Sequence, residues 1–69
     1  MATGALLELE EAWRSAIEKE RESFKLYSRL ASMTEDASAR QLFEFLAQEE
    51  SEHARRLQEE FDRAFMQDM

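Results

Sequence analysis

Leu9, Trp13, Ala16, Glu20, Ser23, Tyr27 and Leu30 follow one another at alternating intervals of four and three residues. Ala39, Phe43, Leu46, Glu50, His53, Leu57, Glu60 and Ala64 do the same further along the chain. That rhythm keeps every member of a set on one face of an α-helix, whereas a strand would scatter them to both sides. Ile17, Phe24 and Ala31 widen the first stripe, and Leu42, Phe61 and Phe65 widen the second. The composition agrees with two helices. Proline is absent, glycine occurs once, and the β-branched residues are only Ile17, Thr3 and Thr34. Ala, Leu, Glu, Gln, Arg and Met, all strong helix formers, fill the rest.

The break at Ser32, Met33 and Thr34 divides the pattern. It predicts a first helix over about 5–31, a turn at 32–34 and a second helix over about 35–67, with Met1 to Gly4 as a frayed start. Thr34 is the predicted N-cap, and Glu35 and Asp36 suit the positive end of the helix behind it. Each helix is about 40 Å long by the helical rise. With so short a connection they fold back on one another, so the expected architecture is an all-α, antiparallel two-helix hairpin. Residues whose numbers sum to about seventy then lie side by side. No linker composition, low-complexity segment or solenoid repeat interrupts the chain, which reads as one unit over 1–69.

Size makes such a hairpin difficult to stabilise alone. Chains below ~70–80 residues usually need disulfides, a metal or a partner chain to supplement a small core. This chain has 69 residues and no cysteine, which removes disulfides and cysteine-based zinc or iron–sulfur sites. A metal, a second copy, or both are expected. Sixteen acidic against nine basic residues, a net charge of -7, argue against nucleic acid, since phosphate would be repelled. No apolar run approaches the ~20 residues of a membrane span, and the N-terminus lacks a signal-peptide pattern, so a cytoplasmic setting is expected. An apolar fraction of 43% excludes a solvated disordered tail. The charged faces carry the i,i+4 pairs Glu10–Arg14, Glu52–Arg56 and Glu59–Arg63, worth tenths of a kcal/mol each.

The informative residues are the polar ones inside the stripes. Glu20, Glu50 and His53 occupy core positions, and an ionised carboxylate buried without a partner costs several kcal/mol. Such groups are paired, protonated or bound to a cation. Glu20 and Glu50 sum to seventy, and His53 lies one turn beyond Glu50, so all three are expected to converge. Four-helix di-iron carboxylate proteins use one Glu from each of two helices and a Glu-x-x-His from each of the other two. One chain offers half of that set: Glu20, and Glu50-Ser51-Glu52-His53. Two copies about a twofold axis would complete it and cover both apolar stripes. Glu50 of each copy would then bridge two irons, with Glu20 and His53 completing each one. The ligand types also suit Mn²⁺ or Zn²⁺.

The Glu-x-x-His spacing alone says little. With thirteen glutamates in 69 residues, a position three before the single histidine is Glu about one time in five. Both residues in the stripe and a third carboxylate at the same level say more. The alternative is a structural helical module that dimerises or docks on a partner, its polar core residues fixing the register. Tyr27 either hydrogen-bonds a ligand carboxylate from two turns away or packs the core with its hydroxyl satisfied elsewhere. Glu49, i,i+4 from His53, is expected in solvent, and Glu60 near the watered end of the bundle. Trp13 and the phenylalanines are expected as core or subunit contact.

At these residues the chain resembles the ferritin-like superfamily on the rubrerythrin side. The stretch Ala16-Ile17-Glu18-Lys19-Glu20-Arg21-Glu22-Ser23-Phe24-Lys25-Leu26-Tyr27 is similar to the rubrerythrin helix in which a ligand Glu precedes a Tyr by seven residues. Leu42 to His53 is similar to the paired helix ending in Glu-x-x-His. A full ferritin-like domain carries the pair twice. One pair is similar to the encapsulated ferritins, whose two-helix subunits dimerise to build a di-iron ferroxidase centre. The resemblance implies ligands Glu20, Glu50 and His53, a nearby Tyr27, and oxidation of Fe(II) by O₂ for iron storage or detoxification. It further implies ring-like assembly of dimers and an encapsulin shell. The chain departs from that pattern at Lys19, beside Glu22 where two acids are expected, and in the further short helix and shell-targeting peptide, which do not occur before Met69. It lacks the cysteine-bound iron of rubrerythrin, which weighs against the alternative of peroxide handling.

Overall fold

The computed structural model describes residues 2–65 and contains the expected hairpin: α1, Ala2–Met33, and α2, Ala37–Phe65. Its extents are 53 × 21 × 12 Å, and the smallest is the diameter of one helix with its side chains. The hairpin is therefore one layer thick and has two broad faces.

α1 begins at Ala2, three residues before the expected start at about residue 5. The helix formers Ala2, Ala5, Leu6 and Leu7 carry the first turns past the single Gly4. The tail of the second predicted helix, residues 66 and 67, lies outside the described residues. Thr34 does not cap α2. Its backbone N–H donates to Leu30 O at 3.0 Å and its hydroxyl donates to the same carbonyl at 2.7 Å, so it closes α1. The N-cap is Asp36, whose Oδ2 accepts from the Ala39 N–H at 2.8 Å. Thr34 stands too close to the last turn of α1 to be free for the next helix. Arg40 reaches back with Nε and Nη2 to donate to Thr34 O at 3.2 and 3.1 Å, tying the turn to α2.

The expected register holds. The Trp13 indole N–H donates to Leu57 O at 3.0 Å, and Tyr27 stacks on Phe43 with ring centroids 6.4 Å apart. Both pairs have numbers that sum to seventy. Ile17, Ala31, Ala47 and Phe61 are buried between the helices, and Arg14 lies over the Phe61 ring, 4.7 Å from its centroid. Trp13 meets Phe65 edge-on at 6.3 Å.

Surface pairing follows the expectation at Glu10–Arg14, 3.0 Å, and departs from it on α2. Arg55 takes both Glu52, at 2.8 Å, and Glu59, while Arg63 pairs with Glu60 at 2.8 Å. Glu52 and Glu59 flank Arg55 at i−3 and i+4, so one guanidinium fork serves both and displaces Arg56 and Arg63 from the expected pairs.

At 100° per residue, Leu9, Ala16 and Leu30 on α1 and Leu42, Leu46 and Ala64 on α2 lie on the same broad face as Glu20 and His53. Leu9 is 52% exposed and Leu42 55%. Part of the apolar stripe is thus left open by the single hairpin.

Candidate metal centre

Glu20 comes from the middle of α1, and Glu50 and His53 from successive turns of α2. Neither helix alone could bring the three together, and the seventy-sum register does so. Glu20 Oε2 lies 2.8 Å from His53 Nδ1, and Glu50 Oε1 lies 3.0 Å from the same nitrogen. One ligand atom from each residue falls within 4.8 Å of the others. Among the described residues this is the one such group of three. All three sequence-derived ligands are therefore brought to one place.

Solvent access differs from the expectation of a dry site. The Glu20 and Glu50 side chains are 24% and 19% exposed, and that of His53 is 45% exposed. The groups are covered on one side by α1 and α2 and open on the broad face, because one hairpin supplies only one wall.

The electrostatics favour positive charge at this point. The hydrogen bond to Glu50, and after it the hydrogen bond to and charge of Glu20, outweigh desolvation and hold the His53 imidazole above its ordinary pKa. An imidazolium between two carboxylates occupies the place a cation would take. Two carboxylate oxygens and one imidazole nitrogen are a donor set for a divalent first-row transition metal. The residues present fit such an ion, and replacing the proton on Nδ1 by the metal keeps the charge compensation.

The remaining candidates separate clearly. Tyr27 is held against Phe43 about 10 Å along α1 from Glu20, and among the described residues no hydrogen bond joins it to the three ligands. Glu60 is paired with Arg63 and 52% exposed, as its place near the end suggested. Glu49, expected in solvent, is 49% exposed, yet its Oε1 lies 3.9 Å from His53 Nε2. Its i,i+4 spacing to His53 was the sequence signal for that approach. Trp13 and Phe61 serve in packing, as expected.

The family model described as Rubrerythrin matches residues 3–61, which spans both helices and all three candidate ligands. No curated protein and no solved structure matches the chain.

Proposed function

The chain belongs to the rubrerythrin family, and from that premise we propose that it is a ferroxidase whose di-iron site is shared by two copies of the hairpin. The observation that carries this reading is the convergence of Glu20, Glu50 and His53 from two helices within 4.8 Å. One hairpin contributes two carboxylates and one imidazole. A second copy across the open broad face would double that to the set used by four-helix di-iron proteins. The same contact would cover Leu9 and Leu42, each more than half exposed in the single hairpin.

Glu20, Glu50 and His53 would hold the iron, and Mn²⁺ or Zn²⁺ would fit the same donors. Two Fe(II) held there would supply one electron each, enough to reduce O₂ to the peroxide level. The chain's own part begins with a proton. His53 Nδ1 must release it before it can bind a cation, so uptake of metal is coupled to pH. Glu20 and Glu50 supply the negative charge that favours the more oxidised ion. Packing of Leu9, Leu42 and Leu46 against a second copy would exclude bulk water and strengthen those interactions.

Iron storage or detoxification, assembly of dimers into rings and enclosure in an encapsulin shell extend this reading along the resemblance to encapsulated ferritins. Aerobic Fe(II) oxidation tests its core. The wild-type protein should oxidise Fe(II) well above the uncatalysed rate, and Glu50→Ala or His53→Ala should abolish most of the excess. Wild-type rates in both variants would refute the assignment.

A further inference from the structure

His53 turns its two ring nitrogens to different neighbours. Nδ1 faces Glu20 and Glu50, at 2.8 and 3.0 Å, while Nε2 points toward Glu49 Oε1 at 3.9 Å. We propose that Glu49 is a positioning residue: when a divalent cation replaces the proton on Nδ1, its carboxylate accepts the Nε2–H of His53 and so holds the ring with Nδ1 turned to the cation. The inference rests on the metal centre proposed above.

A neutral imidazole carries one N–H, and a cation on Nδ1 requires that proton to sit on Nε2. A ligating histidine almost always donates this second N–H to a carboxylate, carbonyl or water, which fixes ring orientation and raises ligand basicity. Glu49 lies one helical turn before His53, where side chains four apart meet. Its carboxylate is within 4.0 Å of Nε2, and a rotation of about 1 Å brings it to hydrogen-bond distance. Among the described residues Glu49 has no other ion pair, and it is half exposed, so nothing opposes that movement. Glu52 also neighbours His53 in sequence but is committed to Arg55 through two hydrogen bonds of 2.8 and 3.0 Å. Glu49 and Glu50 thus divide the work between adjacent positions. Glu50 joins Glu20 around Nδ1, and Glu49 steadies the ring from the other side.

The test is Zn²⁺ titration of the full chain, with solvent exchange of the His53 Nε2–H in the Zn²⁺-bound protein read by ¹⁵N NMR of the imidazole. Glu49→Ala should weaken Zn²⁺ binding about 10–100-fold, the usual effect of removing an outer partner of a ligating histidine. Glu49→Gln should weaken it less, because the amide oxygen still accepts. In the Zn²⁺-bound protein, where Nδ1 is taken by the metal, Glu49→Ala should speed solvent exchange of the His53 Nε2–H that the carboxylate otherwise protects. Glu44→Gln, on the other face, removes one negative charge and should leave both readouts unchanged. Wild-type affinity and Nε2–H exchange in Glu49→Ala would overturn the inference while leaving the metal centre intact, as would an equal loss in Glu44→Gln. A wild-type chain that binds no Zn²⁺ overturns the centre and the inference with it. Circular dichroism confirms that each variant folds, which its exposed position favours.

Discussion

Glu20 on α1 and His53 on α2 meet at 2.8 Å, carboxylate oxygen to imidazole Nδ1, across the interface between the two helices. Glu50 completes the contact from the same helix as His53. A proton therefore holds the two helices together at the point where a metal would.

That contact makes the metal-free hairpin sensitive to pH. The His53 pKa is raised on folding, so its stabilisation is fully present below the unfolded value near 6.5 and is lost as pH rises through the folded value. In the presence of chelator, the Tm should fall over the interval above about pH 6.5. His53→Gln should flatten that slope. A Tm in the wild type that rises across this interval would contradict the assignment of the charge to His53. Glu52 acts in the opposite sense, since its hydrogen bond to Arg55 lowers its pKa. Its contribution is present above the ordinary carboxylate value and fades as pH falls through the lowered one.

Metal should reverse the first dependence. A cation bound only to the folded state at 100 times its Kd adds about 2.7 kcal/mol. Zn²⁺ or Mn²⁺ should therefore raise the Tm more as pH rises, because the proton competes less for Nδ1. Near pH 6, calorimetry in buffers of different ionisation enthalpy should detect proton release on binding.

The open face predicts self-association. Leu9 and Leu42 would each occur twice in a twofold interface, and a fully buried leucine contributes about 1.5–3 kcal/mol. Leu42→Glu should weaken dimerisation about a hundredfold or more, measured by sedimentation, with helix content retained. Phe45→Glu lies off that face, is already 59% exposed, and should have little effect.

The turn offers a separate check. Asp36→Ala removes the N-cap of α2 and should cost about 1 kcal/mol. Phe61→Ala, at the most buried position, should cost about 3–5 kcal/mol and leave the hairpin largely unfolded. Thermal melts of the two variants separate a capping loss from a core loss.

Much of this was legible in the sequence because helical periodicity and a short turn constrain one another. The four-three stripes placed both helices, and the turn position placed Trp13 beside Leu57 and Tyr27 beside Phe43. The same arithmetic brought Glu20 to Glu50 and His53. Local choices were less legible. Thr34 and Asp36 are both good capping residues, and only backbone geometry decided that one would close α1 and the other open α2. Arg55 drew Glu52 and Glu59 away from Arg56 and Arg63, because i,i+3 and i,i+4 partners compete at nearly equal energy. The approach of Glu49 to His53 Nε2 depended on a ring orientation that no spacing specifies.

The most direct test is native mass spectrometry of the protein reconstituted anaerobically with Fe(II), which counts chains and metal ions in one particle. A shared centre predicts a dimer, or a multiple of it, carrying two irons per pair of chains, and no bound iron in Glu50→Ala. A monomer carrying iron, or a dimer carrying none, would contradict it.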